Sequence, residues 1–318
     1  MIFYPVIFIA ISLSSNAQTV ISACVNITAP GNYVLNNDIS SNGTCIRIQS
    51  SDVTFDCQGK TIIYGISQQG SGIFSPGQVG IGFNNTNIKN CIINFGGSQY
   101  STDYSVFLMV NPNLIFENNT LSRGIIVQNS QNILIKNNLI RGIYPLLAAI
   151  SPSGNTNSII TGNIVNSTNS SGFSDQSNTN SSISNNVISV SNSGPISYVL
   201  KGLGISYSSN IRAINNTVSM SGNLGPGSIA VSLYNNFNTT LKSNNIFTSG
   251  PAYSSGISII DIGSLIENNV ISTNGSGISA VAWVSNNTIR NNFITTSGPD
   301  SYGISAFSSN STISNNVI

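Results

Sequence analysis

A chain of 318 residues that is 40% hydrophobic and only 6% charged has enough apolar side chains to build a core, and is too apolar to be a disordered polar tract. Ten Lys plus Arg against nine Asp plus Glu leave a net charge of +1, with none of the clustered basic residues that nucleic acid or acidic membranes require, so neither is expected as a partner. Histidine is absent, which removes imidazole bases, Ser-His triads and most zinc or copper sites.

At the N-terminus, IFYPVIFIAISL is apolar over about a dozen residues, too short to span a bilayer. It runs into Ser15-Asn16-Ala17, a small-x-small cleavage pattern, although no Lys or Arg precedes the apolar stretch. Residues 1–17 are therefore expected to be a signal peptide, and the chain to be secreted or cell-surface associated. Cys24, Cys45, Cys57 and Cys91 then meet an oxidising compartment, where an even count and the lack of any CxxC favour disulfides over a metal knuckle. No metal site is expected.

After an entry or capping segment over 18–50, the chain repeats itself from 51 to 318. The phrase apolar, x, Asn, Asn, x, apolar recurs as FENNTL, IKNNLI, ISNNVI, INNTV, SNNIF, IENNVI, IRNNFI and ISNNVI, with TGNIV as a variant. The second Asn of each gives the landmarks Asn119, Asn138, Asn163, Asn186, Asn216, Asn245, Asn269, Asn292 and Asn316, with Cys91 and Cys57 as earlier counterparts. Short strands of β-branched residues alternating with Ser, Asn and Thr lie between them, and no segment keeps a helical period. A turn that returns once per coil predicts about ten coils of a parallel β-helix, with steps of 19 to 30 residues reflecting loops of variable length. The Asn side chains should form a ladder about 4.8 Å per rung. Ile133, Ile135, Ile140, Ile183, Ile188, Ile266, Ile271, Ile289, Ile294 and Ile313 should stack inside as aliphatic columns. Stacking permits Cys57 with Cys91, leaving Cys24 with Cys45 to staple the entry coil; three pairings remain open.

On these repeats, and on the opening CVNITAPGNYVLNNDISSNGTCIRIQSSDVTFDCQGKTI, the sequence resembles the right-handed parallel β-helix superfamily, the pectate-lyase-like fold, over roughly residues 45 to 318. That resemblance implies an all-β solenoid. It spans polysaccharide lyases, glycoside hydrolases, epimerases, adhesins and tailspikes, so fold alone selects no activity.

Glycosidase chemistry needs two carboxylates about 5 to 9.5 Å apart. No two acids in the sequence are separated by one coil length in a way that stacks them. The lyases of the superfamily imply an acidic calcium cluster beside an Arg or Lys base, for which Asp103, Arg123, Arg141 and Asp175 are the loose candidates. Calcium is expected only on that reading, and no other cofactor. Lys89, Glu117 and Lys136, then Glu267 and Arg290, precede the Asn pair in their coils and read as exposed ion pairs. Trp283 and Phe307 lie one coil apart and, by alternation from Ile278 and Ile304, point outward, where rings suit stacking on sugar. Tyr207 has the opposite parity and is expected inside. The favoured reading is a non-catalytic protein that binds a polysaccharide or glycan, or another surface protein; the alternative is a polysaccharide lyase or glycoside hydrolase. Because the repeat runs to Ile318 without a polar cap, a larger parent chain, a covering partner or end-to-end self-association is also expected.

Overall fold

The computed structural model describes residues 17–77, 82–97, 103–142, 148–193, 199–224, 227–249, 254–280, 285–298, 301–306 and 309–318. Among them there is no helix, and the strands fall into three sheets in which every pairing is parallel. Face 1 has 13 strands, from Gln18–Ile21 to Thr312–Ser314; face 2 has 11, from Ile39–Ser40 to Phe293–Thr296; face 3 has 12, from Val25–Ile27 to Ile304–Ala306. One coil visits the faces in that order, as in Leu134–Lys136, Leu139–Gly142 and Ile150–Ser153, after which Ile159–Thr161 begins the next. The architecture is a single-chain parallel β-helix.

The Asn pair between faces 1 and 2 divides two tasks. Its first member bends the chain: Asn118, Asn137, Asn185, Asn215, Asn268, Asn291 and Asn315 all have φ between 53° and 57°. Asn tolerates this left-handed backbone because its short side chain bonds locally. The second member points inward and is buried. Asn119, Asn138, Asn163, Asn186, Asn216, Asn244, Asn269 and Asn292 each donate both backbone N–H and Nδ2 to the Oδ1 of the next, ending on Asn316, at 2.8 to 3.1 Å. Asn245, expected as a rung, is not one. In SNNIF a Ser takes the left-handed position (Ser243, φ 56°), so the Asn pair slides by one residue, Asn244 becomes the rung and Asn245 starts an exposed strand.

Inside, Ile135, Ile160, Ile183, Ile266 and Ile289 line face 1, and Ile140, Ile188, Ile271 and Ile294 line face 2, all essentially inaccessible. Each such side chain contributes about 1.5–3 kcal/mol. Ile313, expected in the same column, is 48% exposed because it lies on the last strand of face 1 and is covered from one side only. Within the stretch from Gly97 to Val110, Val106–Met109 is a regular face 3 strand.

The disulfides join neighbouring coils, Cys24 to Cys45 and Cys57 to Cys91, with Cα atoms 4.6 and 4.7 Å apart. Cys57 and Cys91 occupy two rung positions of the amide ladder, and Cys91 N–H donates to Asn119 Oδ1 at 2.9 Å, so the covalent link continues the column. Closing loops of 21 and 34 residues stabilises by about 3–4 kcal/mol each. Charges sit outside on face 1 as pairs: Asp56 with Lys89, Glu117 with Lys136, and Glu267 with both Lys242 and Arg290. Partly exposed pairs of this kind contribute about 0–1 kcal/mol.

The slipped register gives a direct check on the ladder. Asn244→Ala removes the acceptor for Asn216 N–H and Nδ2 and the donor to Ala213 and Lys242 carbonyls, all in a buried corner. It should cost about 3 kcal/mol or more in denaturant unfolding. Asn245→Ala should cost less than about 0.5 kcal/mol.

Candidate functional site

The corner between faces 3 and 1 carries a second interior ladder. Asn111, Ser130, Asn155, Asn178, Ser208, Asn236 and Asp261 are buried one above another, each backbone N–H from Asn111 to Asn236 donating to the side-chain oxygen of the next. Sequence reasoning missed it, because Ser and Asn share the column and no dipeptide repeats. The signal was the chain of small polar residues closing each face 3 strand, as in QNSQN, SGNTN and QSNTN.

A left-handed residue precedes most of these rungs: Asn129, Gly154, Ser177, Tyr207 and Asn235. In the coil of Asp261 that residue is missing, since Asp261 follows Ile260 directly on the strand Ser255–Ile262. The pairing of this strand with its neighbour Ile229–Phe237 therefore shifts between Tyr234 and Phe237. The shift leaves a hollow of about 370 Å³ lined by Tyr207, Ser209, Asn235, Phe237, Ile260 and Ile262, with Asp261, Ser208 and Asn236 beneath. Aromatic rings crowd its rim. Tyr207 and Tyr234 meet edge to face, centroids 5.5 Å apart, and Tyr207, Tyr234 and Phe237 are 55%, 39% and 59% exposed. Tyr207 thus points outward, against the expectation from alternation, because its left-handed backbone breaks the two-residue period just before the corner.

Two carboxyls lie under or near this corner. Asp175 is on the inner side of Phe173–Gln176, where it accepts from Asn178 Nδ2 at 2.5 Å and from Ser208 Oγ at 2.9 Å. Asp261 accepts from Asn236 N and Nδ2 at 3.0 Å and from Ser264 Oγ at 3.1 Å. Ser208 and Asn236 link the two acids into one chain of hydrogen bonds across three coil steps, roughly 14 Å. That exceeds the separation of a glycosidase pair, about 9.5 Å at most.

The remaining sequence candidates do not join them. Asp103 and Arg123 come together at the loop side between faces 2 and 3. Asp103 Oδ2 accepts from Gly70 N–H at 2.9 Å, Arg123 Nη1 approaches the Asp103 carbonyl at 3.5 Å, and the Arg123 guanidinium lies 3.5 Å over the Phe95 ring. Ser105 Oγ accepts from Arg123 N–H at 3.1 Å and pairs with the Tyr64 hydroxyl, whose ionisation burial pushes upward. These contacts tie loops together. Arg141 is exposed on face 2, in register with Asn166, and Asp175 is interior, so the four do not converge. Among the described residues no three acids or cysteines gather as a metal site. Trp283 and Phe307 lie outside the described residues.

A family model described as "Right handed beta helix region" matches residues 23–188 and 123–294. The chain belongs to the right-handed β-helix family. Solved β-helices of similar structure include the periplasmic alginate epimerase AlgG, with 15% identity and a TM-score of 0.58 over 90% of this chain and 77% of that one. The Dettilon tailspike protein gives 13% identity and a TM-score of 0.66 over 91% and 61%. DFA-IIIase from Arthrobacter chlorophenolicus, solved with GF2, gives 12% and 0.52 over 90% and 74%. At such identities the likeness is one of fold. No curated protein matches the sequence.

Burial raises the Asp175 carboxyl to about 6 from 3.8, only partly offset by the bonds from Asn178 and Ser208. Asp261 is raised for the same reason, opposed by Asn236 and Ser264. Between these values the folded β-helix holds a proton that the unfolded chain has released. The contribution of Asp175 to stability is therefore complete below the ordinary carboxyl range and lost as the pH rises through about 6. Asp175→Asn, which keeps an oxygen to accept from Asn178 Nδ2 and turns the other atom into a donor facing Ser208 Oγ, should flatten this fall and stabilise the chain above about pH 7 by at most an amount on the order of 3 kcal/mol, read from unfolding curves across pH.

Proposed function

We propose that this β-helix is a non-catalytic, secreted or cell-surface protein that binds carbohydrate at the corner between faces 3 and 1. The observation that carries the reading is the exposed group of Tyr207, Tyr234 and Phe237 around a hollow. Large apolar rings in water cost free energy unless something covers them, and flat rings beside amides and hydroxyls suit the mixed apolar and polar surface of a sugar. Two disulfides fit an oxidising compartment. The epimerase named for alginate and the DFA-IIIase offer carbohydrate as the first ligand class to try.

The buried acids argue against turnover. A general acid must reach the bond that it cleaves, and Asp175 and Asp261 are both 1% exposed, engaged in hydrogen bonds and too far apart to act as a pair.

On a glycan array the purified chain should bind, Tyr207→Ala and Phe237→Ala should bind about tenfold less, and polysaccharides incubated with it should yield neither new reducing ends nor unsaturated uronate absorbance. Product formation abolished by Asp261→Asn would replace this reading with a polysaccharide-active enzyme.

A further inference from the structure

Tyr207 stands where the fold asks for a residue that tolerates a left-handed backbone. Equivalent coils place Asn129 (φ 51°), Gly154 (φ 66°), Ser177 (φ 55°) and Asn235 (φ 53°) there, whereas Tyr207 has φ 53° with a bulky side chain. A large residue in this region is an outlier, and such outliers persist where something else holds them. Val110 (φ 50°) is the comparable case, and packing accounts for it: Cβ atoms built on Gly77 and Gly82 would fall 2.9 and 2.6 Å from Val110 side-chain atoms. Tyr207 gains no such cover. Its ring is 55% exposed and rests against Tyr234 by an edge, so the chain itself obtains little from it.

The charge of the surroundings selects the ligand. The hollow is lined by Tyr207, Ser209, Asn235, Phe237, Ile260 and Ile262, with Ser208 and Asn236 deeper, and Asp261 is the one acidic residue of the lining, with no basic residue among them. The Asp261 carboxylate below is 1% exposed, with both oxygens engaged by Asn236 and Ser264. Exposed amides run alongside, Asn238 Nδ2 donating to Asn210 Oδ1 at 2.7 Å. An anionic sugar would lose hydration against the rings without meeting a cation, and a cationic one would meet no accessible anion. A neutral sugar offers C–H faces to the rings and hydroxyls to the amides.

Resting on the carbohydrate reading of this corner, we propose that its ligand is an uncharged saccharide and that Tyr207 keeps its left-handed backbone in order to present a stacking ring. Substitution at Tyr207 then separates binding from folding, because Asn, which occupies the same place at 129 and 235, relieves the backbone while removing the ring.

The test uses the purified full chain with a neutral β-glucan and a neutral mannan against alginate and polygalacturonate, at low and high salt. The neutral polymers should bind with an affinity that salt does not change. Tyr207→Asn should bind about tenfold more weakly while melting at or above the wild-type temperature, and Arg212→Gln, on the exposed side of the neighbouring face, should bind as wild type. Polyuronate binding that weakens with salt, or loss of binding in Arg212→Gln, would overturn the ligand class and leave carbohydrate binding standing. Full affinity or a lowered melting temperature in Tyr207→Asn would overturn the role given to its ring. Retention of none of the four polymers would remove the carbohydrate reading and this inference together.

Discussion

A coil that turns sharply between two strands buries a backbone N–H that no strand can satisfy, and the whole stack depends on answering that N–H once per turn. Asn is suited to the task. Its Oδ1 accepts both the backbone N–H and the Nδ2 of the preceding coil, while its own Nδ2 donates to an inner strand carbonyl and onward to the next rung, as Asn163 does between Asn138 and Asn186. An unmet buried donor costs about 1–3 kcal/mol, more than a surface ion pair returns. The composition follows: many amides and few charges, with Asp56, Glu117 and Glu267 in ion pairs on face 1 and Asp175 and Asp261 inside with both oxygens engaged.

The fold was legible in the sequence because this requirement repeats. FENNTL, IKNNLI and ISNNVI look alike since the same two problems, a left-handed bend and a buried donor, recur at one corner. Where the two problems are answered by different residues, the text misleads. Ser243 can bend the chain as Asn does, so the pair in SNNIF reads one residue late. The second ladder was harder to see for the same reason, since Asn, Ser and Asp all offer an oxygen to one N–H and the column carries no constant letter. Cys57 and Cys91 were visible as counterparts of Asn because a disulfide spans the distance that a rung does.

The candidate site was less legible than the fold. Alternation predicts which face a side chain takes only within a strand, and Tyr207 lies just past the end of Lys201–Ser206 on a left-handed residue that resets the count. Asp103 and Arg123 lie close together, and what joins them is loop packing through Gly70, Ser105 and Phe95. Nothing in the spacing of acids along the chain could reveal that Asp175 and Asp261 would be connected through Ser208 and Asn236, because each link crosses a coil of different length.

Repetition in a solenoid is a stability requirement, so departures from it mark the places where the chain differs in purpose from coil to coil. The second ladder departs at Asp261. Its side chain accepts from Asn236 N–H and Nδ2 as an amide rung would, and it is the last rung of this column among the described residues, whereas the ladder at the other corner is described through to Asn316. The same coil drops the left-handed residue, the strand pairing shifts, and the surface opens beside Tyr207, Tyr234 and Phe237. An acidic rung, loss of a bend and exposed rings coincide within two coils, and the physical link is that a coil one residue short at this corner cannot keep its neighbour's register, so the strand pairing slips and the surface opens.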